Sequence, residues 1–548
     1  MEGFGRRGRG VRAQRGVATI GGGLAAATAI VAFGFVGSRL LGILRTVAIA
    51  DAFGSSPDLA AYNVAFRVPD LIFQVLAGAT LGSAFIPVFA RVFRNDGSDK
   101  AWRLASNVLT IVTAATAVLC LVALIFAPWL VPLTAPGLGK DLGREAELTA
   151  KAVSLSRLML VSPLLFAVSG MITGILNGRQ RFFLSALSPI FYNLAIIFGA
   201  LFLSGPWGIE GLAVGVIVGA ALHLIVQLPG LVRERMRFRP TLDLTDGATR
   251  EVGRLMGPRA VGLAAGQFNF FITTYFASKI SSSAINDLTF AWTIAILPLG
   301  LFGMALATAV FPRLAEQVAD DNHEAMANTI SRVFRVIMFT TIPAAIGLAL
   351  VAGPATTLLL QRGEFAAENA TIVASALVYY SLAIIPMAGI EIHSRAFYAL
   401  GDTRTPVGLA VFAVGVNLLL SALLWFDYQH EGLAVSVAIA AWIEWALLFG
   451  LYARQIHKDT WPDLWAISRF ALCGALMALT VGLALVAFDH PTGGQLNAFL
   501  IAGAAATAGA FIYAGFARWL GVEEFELATR GLVSRLKRPR PTPDPRSP

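Results

Sequence analysis

The stretch GATLGSAFIP, Gly78–Pro87, returns in the second half of the chain as GMALATAVFP, Gly303–Pro312. Small apolar residues often resemble one another by chance, but two further pairs follow in the same order and at nearly the same separation. These pairs are Pro163–Gly178 with Pro386–Gly401, and Glu210–Val214 (EGLAV) with Glu431–Val435 (EGLAV). The order of the three matches indicates an internal repeat and predicts two similar halves in one chain.

The composition excludes a soluble globular protein. Of the 548 residues, 56% are hydrophobic and only 14% are charged, and the mean hydropathy is +0.70. These values are typical of a polytopic membrane protein. Apolar runs long enough to cross roughly 30 Å of hydrocarbon predict an all-α fold of about fourteen transmembrane helices. Their centres lie near residues 35, 77, 119, 164, 193, 222, 265, 301, 341, 383, 415, 443, 477 and 507.

The basic residues predict the orientation of these helices. If the N-terminus is cytoplasmic, the loops that follow the even-numbered helices hold most of the arginines and lysines, and the opposite loops hold few. This bias predicts that both termini are cytoplasmic. The net charge of +9 is then explained by topology and by attraction to anionic membrane lipids, so no nucleic-acid partner is predicted.

The repeat and the predicted helices divide the chain into parts. Each copy of the repeat spans six helices, so both copies insert with the same orientation and are related by a pseudo-two-fold axis along the membrane normal. Two such lobes with a polar cleft between them favour transport by alternating access. The predicted parts are a basic cytoplasmic N-terminus at 1–20, an N-lobe at 21–237, a cytoplasmic linker at 238–250, a C-lobe at 251–456, two further helices within 465–519, and a cytoplasmic tail at 520–548.

No enzyme motif accompanies this pattern. The sequence has no phosphate-binding loop, no zinc-protease motif and no nucleophile elbow, so ATP-driven transport by this chain alone is not expected. Cys120 and Cys473 are far apart in apolar stretches, which argues against a disulfide or a metal site. The chain is therefore predicted to be a transporter without a cofactor, and energy would come from the membrane potential or from an H⁺ or Na⁺ gradient.

Two arginines, Arg39 and Arg45, lie inside the apolar stretch Gly21–Ala50. An arginine near the bilayer centre costs roughly 2.5 to 3.5 kcal/mol on insertion scales, and it is tolerated where it faces a wet cavity or an anion. The pair therefore predicts an anion site, although both side chains could instead reach the headgroup region or pair inside the bundle. Arg67 could pair with Asp70, and Arg259 could be an interfacial anchor.

The chain resembles the MurJ/MviN family of lipid II flippases, within the multidrug/oligosaccharidyl-lipid/polysaccharide exporter superfamily. The resemblance rests on seven stretches in family order, of which QRGEF and FYALGDTRTPV are the most specific. They are SRLLG with Arg45 (Ser38–Gly42), YNVAFRVPDL (Tyr62–Leu71), SAFIPVFA (Ser83–Ala90), ILNGRQRF (Ile175–Phe182), LMGPRAVG (Leu255–Gly262), QRGEF (Gln361–Phe365) and FYALGDTRTPV (Phe397–Val407). The resemblance implies fourteen helices in two lobes.

The resemblance also implies that arginines bind the diphosphate of the cargo. Ser38, Arg39 and Arg45 match the family pattern in the first helix. Several other family positions differ here, and Arg67 or Arg259 is the hypothesis for the missing positive charge. In the second helix, this chain has Phe73 where the family pattern has an arginine and Gly78 where it has a glutamate. It has Trp292 and Thr293 in place of the family's Asp-Arg pair, and Thr46 in place of an acidic residue. Of a sodium-binding Asn and Asp pair, Asn417 is present, and Ser421 stands at the position of the aspartate.

The resemblance implies a flippase in the bacterial cell membrane that moves undecaprenyl-diphosphate-linked peptidoglycan precursor, lipid II, from the inner to the outer leaflet. Its predicted partners are this glycolipid and membrane lipids, and the sequence leaves the oligomeric state open. Three alternatives stay open as well: a flippase for another polyprenyl-diphosphate-linked glycan, a membrane-embedded partner or scaffold that has lost transport, and a cation-coupled multidrug exporter. The last of these would need an acidic central cavity.

Overall fold

A computed structural model of the chain describes residue 34 and residues 36–76, 79–234, 236–457, 459–487 and 494–526, with the backbone alone at 79–81, 83, 258, 259 and 487. Every regular element in these ranges is helical, as the composition predicts. The predicted parts at 1–20 and most of 520–548 lie outside the described residues.

We number the helices in chain order. The first ten are α1 (36–53), α2 (Pro57–Leu76), α3 (Ala79–Asn95), α4 (Ser98–Thr134), α5 (Glu145–Met159), α6 (Val161–Gly178), α7 (Phe182–Phe198), α8 (Ser204–Ile225), α9 (Leu228–Arg233) and α10 (Gly247–Ile280). The others are α11 (Ser282–Pro298), α12 (Ala305–Ala319), α13 (His323–Leu350), α14 (Ala352–Leu360), α15 (Ala367–Ala399), α16 (Arg404–Gln455), α17 (Trp461–Ala487) and α18 (Gly494–Trp519). π-Helical turns at Gly199–Leu203 and Leu299–Met304 join α7 to α8 and α11 to α12.

Ten continuous helical ranges are long and apolar enough to cross a membrane, counted over the described residues. Two of them, Phe182–Arg233 and Arg404–Gln455, each contain a helix with a sharp kink, in α8 and in α16. These ranges confirm a polytopic all-α membrane fold, because only a helix satisfies all its backbone polar groups within one lipid-exposed segment. The total of fourteen spans stays a prediction.

The chain forms two compact units. Unit 1 comprises residues 1–286 and 362–365, and unit 2 comprises residues 287–361 and 366–548. The core of unit 1 packs Phe85 and Phe89 of α3 against Trp102 of α4 and Met171 of α6, all of which are buried. The core of unit 2 includes Phe334, Phe397, Phe470 and Tyr513, from α13, α15, α17 and α18.

Helix α10 packs within unit 1, on α2, α3 and α4. Arg91 of α3 forms a bidentate ion pair with Glu251 of α10, with 2.9 Å between Nη1 and Oε1. Asn107 of α4 is buried and donates to Thr249 Oγ1 at 2.9 Å. The repeat-based prediction places α10 in the C-lobe, at 251–456, and these contacts show that α10 belongs to the packing of unit 1.

A short segment between α14 and α15 also packs in unit 1. Gly363, in the QRGEF stretch, has φ +51°, and Gly54, after α1, has φ +57°. The backbone amide of Glu364 donates to the Asp51 carbonyl at 3.0 Å. A Cβ at Gly54 would overlap the Glu364 carbonyl, and a Cβ at Gly363 would overlap the Asp51 carbonyl. The two segments can therefore approach this closely only because each has a glycine at the contact.

The kinks in the two long ranges repeat one backbone conformation. Gly208 has φ 57° and ψ −137°, and Gln429 has φ 46° and ψ −126°. The two kink residues stand at the same separation along the chain as the two EGLAV stretches. Three residues beyond each kink, Gly211 and Gly432 face the carbonyls of Leu203 and Leu424 so closely that a Cβ would overlap them. The same turn is therefore built in both halves of the chain.

The residue at the apex of the turn differs between the two halves, and so does the conformational energy needed to hold it there. Glycine adopts positive φ without a steric penalty, whereas Gln429 holds a conformation that costs a non-glycine residue about 1–3 kcal/mol. Because the Gln429 side chain is exposed, we predict that Gln429→Gly raises the thermal midpoint of the purified protein, by about 1 kcal/mol of unfolding free energy. Tyr428→Gly, at the exposed neighbour without positive φ, is the control and should give no gain. An unchanged or lower thermal midpoint for Gln429→Gly would show that the backbone of Gln429 is not strained.

A second ion cluster joins the α6–α7 loop to the end of α9. Arg179 Nε and Arg181 Nε donate to the Glu234 carboxylate at 2.8 and 3.0 Å, and the carboxylate is only 8% exposed. The Arg179 guanidinium also lies 3.9 Å from the centre of the Phe93 ring. Burial raises the pKa of Glu234, but the hydrogen bonds and charges of the two arginines outweigh it, so the pKa is below its ordinary value.

A lowered carboxyl pKa stabilises the folded protein above the unfolded-state pKa, and this contribution is lost as the pH falls through the folded-state pKa. We predict that Glu234→Gln lowers the thermal midpoint at pH 7, and that the difference from the wild type shrinks below about pH 4.3, the ordinary glutamate value. Midpoints measured across this range test it. Glu316→Gln, at an exposed glutamate without an ion pair among the described residues, should show no such pH dependence.

Candidate functional site

Helix α1 carries three of the predicted site residues in unit 1. Ser38, Arg39 and Arg45 are all partly buried. The Ser38 carbonyl accepts a hydrogen bond from Asn193 Nδ2 of α7 at 3.4 Å. Thr46, where the family pattern has an acidic residue, is buried, and its hydroxyl donates to the Gly42 carbonyl at 3.1 Å. The residue after Arg45 is therefore bonded within its own helix.

Arg67 of α2 is held by α10. Its Nε donates to Thr274 Oγ1 at 3.0 Å, and its guanidinium lies 5.3 Å from the centre of the Phe270 ring. It also interacts electrostatically with Asp70, one turn further along α2, and Asp70 is hydrogen-bonded to Gln74. Arg67 and Asp70, which the sequence suggested as a pair, thus interact electrostatically, and α10 adds a hydroxyl and an aromatic face.

Arg45 interacts with the same carboxylate. Its guanidinium interacts electrostatically with Asp70 and with Tyr62 and Tyr192, the last on α7. The fold therefore brings Arg45, Arg67 and Asp70 together from α1 and α2, and we call these three residues the arginine cluster. Two guanidinium groups and one carboxylate leave one excess positive charge within a membrane-spanning unit, an arrangement suited to an anion.

For the other two predicted arginines, Arg39 and Arg259, the structure gives the position along the helix. Arg39 precedes Arg45 by six residues, about 9 Å along α1. The side chain of Arg259 lies outside the described residues, and its backbone precedes Thr274 by fifteen residues, about 22 Å along α10. The fold thus brings Arg45 and Arg67 to one carboxylate, and it places Arg259 about four turns away from the α10 residue that holds Arg67.

Phe73, which replaces the family's arginine of the second helix, belongs to an aromatic group beside the arginine cluster. Its ring centre lies 4.7 Å from that of Phe166, and the Phe166 ring lies 5.2 Å from Tyr192 and 5.3 Å from His223. Tyr192 is the same residue that interacts with Arg45. Phe73 and Phe166 therefore form an aromatic wall that extends to Tyr192, a neighbour of Arg45.

The family positions in unit 2 are occupied by residues that contact other residues of the same unit. The Trp292 ring packs edge-on against Tyr380 with centres 5.3 Å apart, and the Thr293 hydroxyl donates to the Thr289 carbonyl at 2.8 Å. Ser421 donates to Asn417 Oδ1 at 3.3 Å, and both are buried. Across the described residues, no three His, Cys, Asp or Glu side chains lie close enough to hold a metal ion.

Sequence reasoning missed Tyr192, Thr274 and Phe270 as neighbours of the arginines. None of the three carries a charge or a motif that marks it in the sequence, and only the packing of α7 and α10 onto α1 and α2 brings it near a guanidinium. The sole sequence signal for such a contact is the presence of the arginines, which must find partners when they are removed from water.

Because Asp70 faces two guanidinium groups, we predict that Asp70→Asn lowers the thermal midpoint of the protein without substrate, by about 1–3 kcal/mol of unfolding free energy. Asp58→Asn is the matched control on the same helix: Asp58 pairs with Lys151 at 2.7 Å but is 40% exposed, so its loss should cost at most about 1 kcal/mol. Equal effects of the two substitutions would contradict the shared role of Asp70.

Comparison with known proteins gives a consistent result. The family model described as lipid II flippase MurJ matches residues 49–501. The chain is 32% identical over 450 residues to "Lipid II flippase MurJ" of Burkholderia cenocepacia, covering 81% of this chain and 86% of the relative. It is 28% identical over 451 residues to "Probable lipid II flippase MurJ" of Vibrio cholerae, covering 80% and 85% of the two chains.

Two solved structures show the same fold. A structure of "Lipid II flippase MurJ, inward closed conformation" matches with a TM-score of 0.74 and 22% identity, covering 89% of this chain and 99% of that one. An inward-facing multidrug resistance MATE family transporter of the MOP superfamily matches with a TM-score of 0.63 and 16% identity, covering 77% and 96%. At these identities the structural matches establish the fold and leave the transported molecule to be argued from the site.

Proposed function

The chain belongs to the lipid II flippase MurJ family, and on this premise we propose that it moves lipid II from the inner to the outer leaflet of the bacterial cell membrane. The arginine cluster is the observation that carries the proposal, because it places excess positive charge inside a membrane-spanning unit. The diphosphate is the most strongly anionic part of a polyprenyl-diphosphate-linked precursor. Two guanidinium groups match it in charge and in hydrogen-bonding geometry.

The proposed binding residues are Ser38, Arg39, Arg45, Arg67 and Arg259. Arg45 and Arg67 carry most of the binding, since they share one counter-charge and are the pair that the fold brings together. Without cargo, Asp70 balances part of their charge. When the diphosphate binds, it joins Asp70 as a second anionic partner of both guanidinium groups. Arg67 is already oriented by Thr274 and Phe270, so little of its conformational freedom is lost on binding.

Movement of the cargo follows from the repeat. The same turn at Gly208 and Gln429 supports two structurally equivalent halves, and halves of parallel topology can rock about a central site. The proposal takes the lobes as 21–237 and 251–456, with 465–519 as an addition and both termini in the cytoplasm. No bond is made or broken, and the cargo emerges chemically unchanged.

The energy source forms part of the proposal. With no phosphate-binding loop in the sequence, the membrane potential or an H⁺ or Na⁺ gradient is the proposed driving force. Asn417 and Ser421 are hydrogen-bonded to each other, and without a carboxylate at the second position they form a weaker sodium ligand pair than Asn with Asp. The membrane potential or protons are therefore favoured over sodium at this position.

The charge of the arginine cluster separates the alternatives. A cation-coupled drug exporter needs a net negative site, whereas this cluster has two cations and one anion. Another polyprenyl-diphosphate-linked glycan presents the same diphosphate, so the cluster accommodates it equally well. The sequence similarity to lipid II flippases across most of the chain favours lipid II over other glycans.

Complementation tests the proposal in a bacterial strain depleted of its own lipid II flippase. We expect the wild type to restore growth, and Arg45→Ala to lower lipid II movement at least about tenfold, the effect of losing one strong charge-assisted hydrogen bond. Arg45→Lys keeps the charge without the bidentate geometry and should fall between the two. Lipid II exposure on the outer leaflet is the measurement, at equal membrane levels of each variant.

Arg94→Ala, at an exposed arginine at the end of α3, is the matched control and should transport like the wild type. Failure of the well-inserted wild type to rescue growth would overturn lipid II as the cargo. Full activity of Arg45→Ala would overturn the arginine cluster as the binding site. Full activity of Arg259→Ala would remove that residue alone from the site.

A further inference from the structure

A cavity of about 910 Å³ lies on unit 1 between the second half of α4 and the helix α5. It involves neither α1, α2 nor α10, which carry the arginine cluster and its partners. The residues of its lining that matter for binding are Pro128, Pro132, Lys140, Glu145, Thr149 and Arg157.

Proline shapes the wall of this cavity. Pro128 and Pro132 both lie inside α4, and proline has no backbone N–H to donate to the carbonyl four residues earlier. The Leu124 carbonyl therefore has no helical donor at residue 128. Arg157 Nε supplies one from α5, at 3.2 Å. The guanidinium is thus anchored by a backbone group that proline leaves unpaired.

The rest of the Arg157 guanidinium is available for a ligand. Within the part of the chain that the structure describes, its two terminal amino groups make no hydrogen bond or ion pair, and the side chain is exposed. Arg157 follows the start of α5 by twelve residues, about 18 Å along the helix. An arginine at such a depth in a spanning helix is costly unless water or an anion solvates it.

The surface around the cavity is apolar and lipid-facing in character. Trp129 and Leu133, on α4 beside the two prolines, are 66% and 69% exposed, and Phe126 is 48% exposed. The helix α4 as a whole is long and apolar enough to span the membrane. The side chains beside the cavity are therefore suited to contact with acyl chains.

The cavity lining carries a net positive charge. Lys140 lies in the connection before α5, where it is 59% exposed and 3.8 Å from Glu145. Lys140, Arg157 and Glu145 together give one excess positive charge, and Thr149 adds a hydroxyl to the lining. An exposed pair such as Lys140–Glu145 is weak, so Lys140 can turn toward a stronger anion.

We propose that this cavity binds an anionic phospholipid of the surrounding membrane. The terminal amino groups of Arg157 bind its phosphate, which carries the negative charge of the lipid. Lys140 adds positive charge to the same lining, and the acyl chains lie along the exposed face of α4. A free phosphate ion leaves the proline-lined wall uncovered, and a zwitterionic lipid brings a cationic headgroup toward Lys140. Charge complementarity and the apolar surround together select an anionic lipid, independently of the molecule that the protein transports.

The test measures lipid binding to the purified full-length protein in detergent by native mass spectrometry, with phosphatidylglycerol and phosphatidylcholine as probes. We expect the wild type to prefer phosphatidylglycerol, and Arg157→Gln to bind it about tenfold more weakly, the loss expected for one charge-assisted contact. The control Arg103→Gln changes an exposed arginine at the other end of α4. It should leave the preference unchanged.

Lys140→Gln keeps the inference testable if Arg157→Gln unfolds, because Lys140 is exposed and bonded only weakly. It should reduce the preference for phosphatidylglycerol at an unchanged thermal midpoint. Equal binding of both lipids by the wild type would overturn the proposal, as would wild-type phosphatidylglycerol binding by a folded Arg157→Gln variant or by Lys140→Gln. Stabilisation by inorganic phosphate equal to that by phosphatidylglycerol would also overturn it, since it would show an ion site rather than a lipid site.

Discussion

Every charged side chain that enters a membrane-spanning helix must find a partner in the protein or in a ligand, because hydrocarbon offers none. The arginines of this chain meet the requirement in different ways. Arg67 bonds to the Thr274 hydroxyl and interacts with Asp70, whereas Arg157 bonds to a backbone carbonyl that Pro128 leaves without its helical donor. Arg395 pairs with Glu391 one turn earlier on α15. Only the first of these arrangements gathers further positive charge, from Arg45.

Much of the fold is encoded in features that can be read along the chain. Helices that cross the membrane follow from long apolar runs, and the repeat follows from three short matches in order. The arginines of α1 are conspicuous because they interrupt an apolar segment. These features are local or periodic, so no knowledge of packing is needed to recognise them. The family resemblance rests on the same kind of local information, in stretches such as QRGEF and FYALGDTRTPV.

The contacts that complete the candidate site could not be predicted in the same way. Thr274 lies far along the chain from Arg67, and nothing in its own surroundings marks it as a partner of a guanidinium. The repeat assigns α10 to the second half of the chain, whereas side-chain packing joins it to α2, α3 and α4. A sequence repeat shows which helices correspond to each other in the two halves. The helices that a given helix packs against depend on which apolar faces fit together. The phenylalanine at position 73 is a similar case, since its role as part of an aromatic wall is visible only with Phe166 and Tyr192 beside it.

The turn at Gly208 and Gln429 shows what the two halves have kept in common. Residue type at the apex has changed from glycine to glutamine while the backbone angles have stayed nearly the same. The close approach of Gly211 and Gly432 to the preceding helix imposes the path of the chain on whatever residue occupies the apex. The two turns are consequently equivalent in backbone geometry, although glycine adopts it without strain in the first half and glutamine adopts it with strain in the second. The two halves of this protein thus share the backbone geometry of the turn more closely than they share the residue type at its apex.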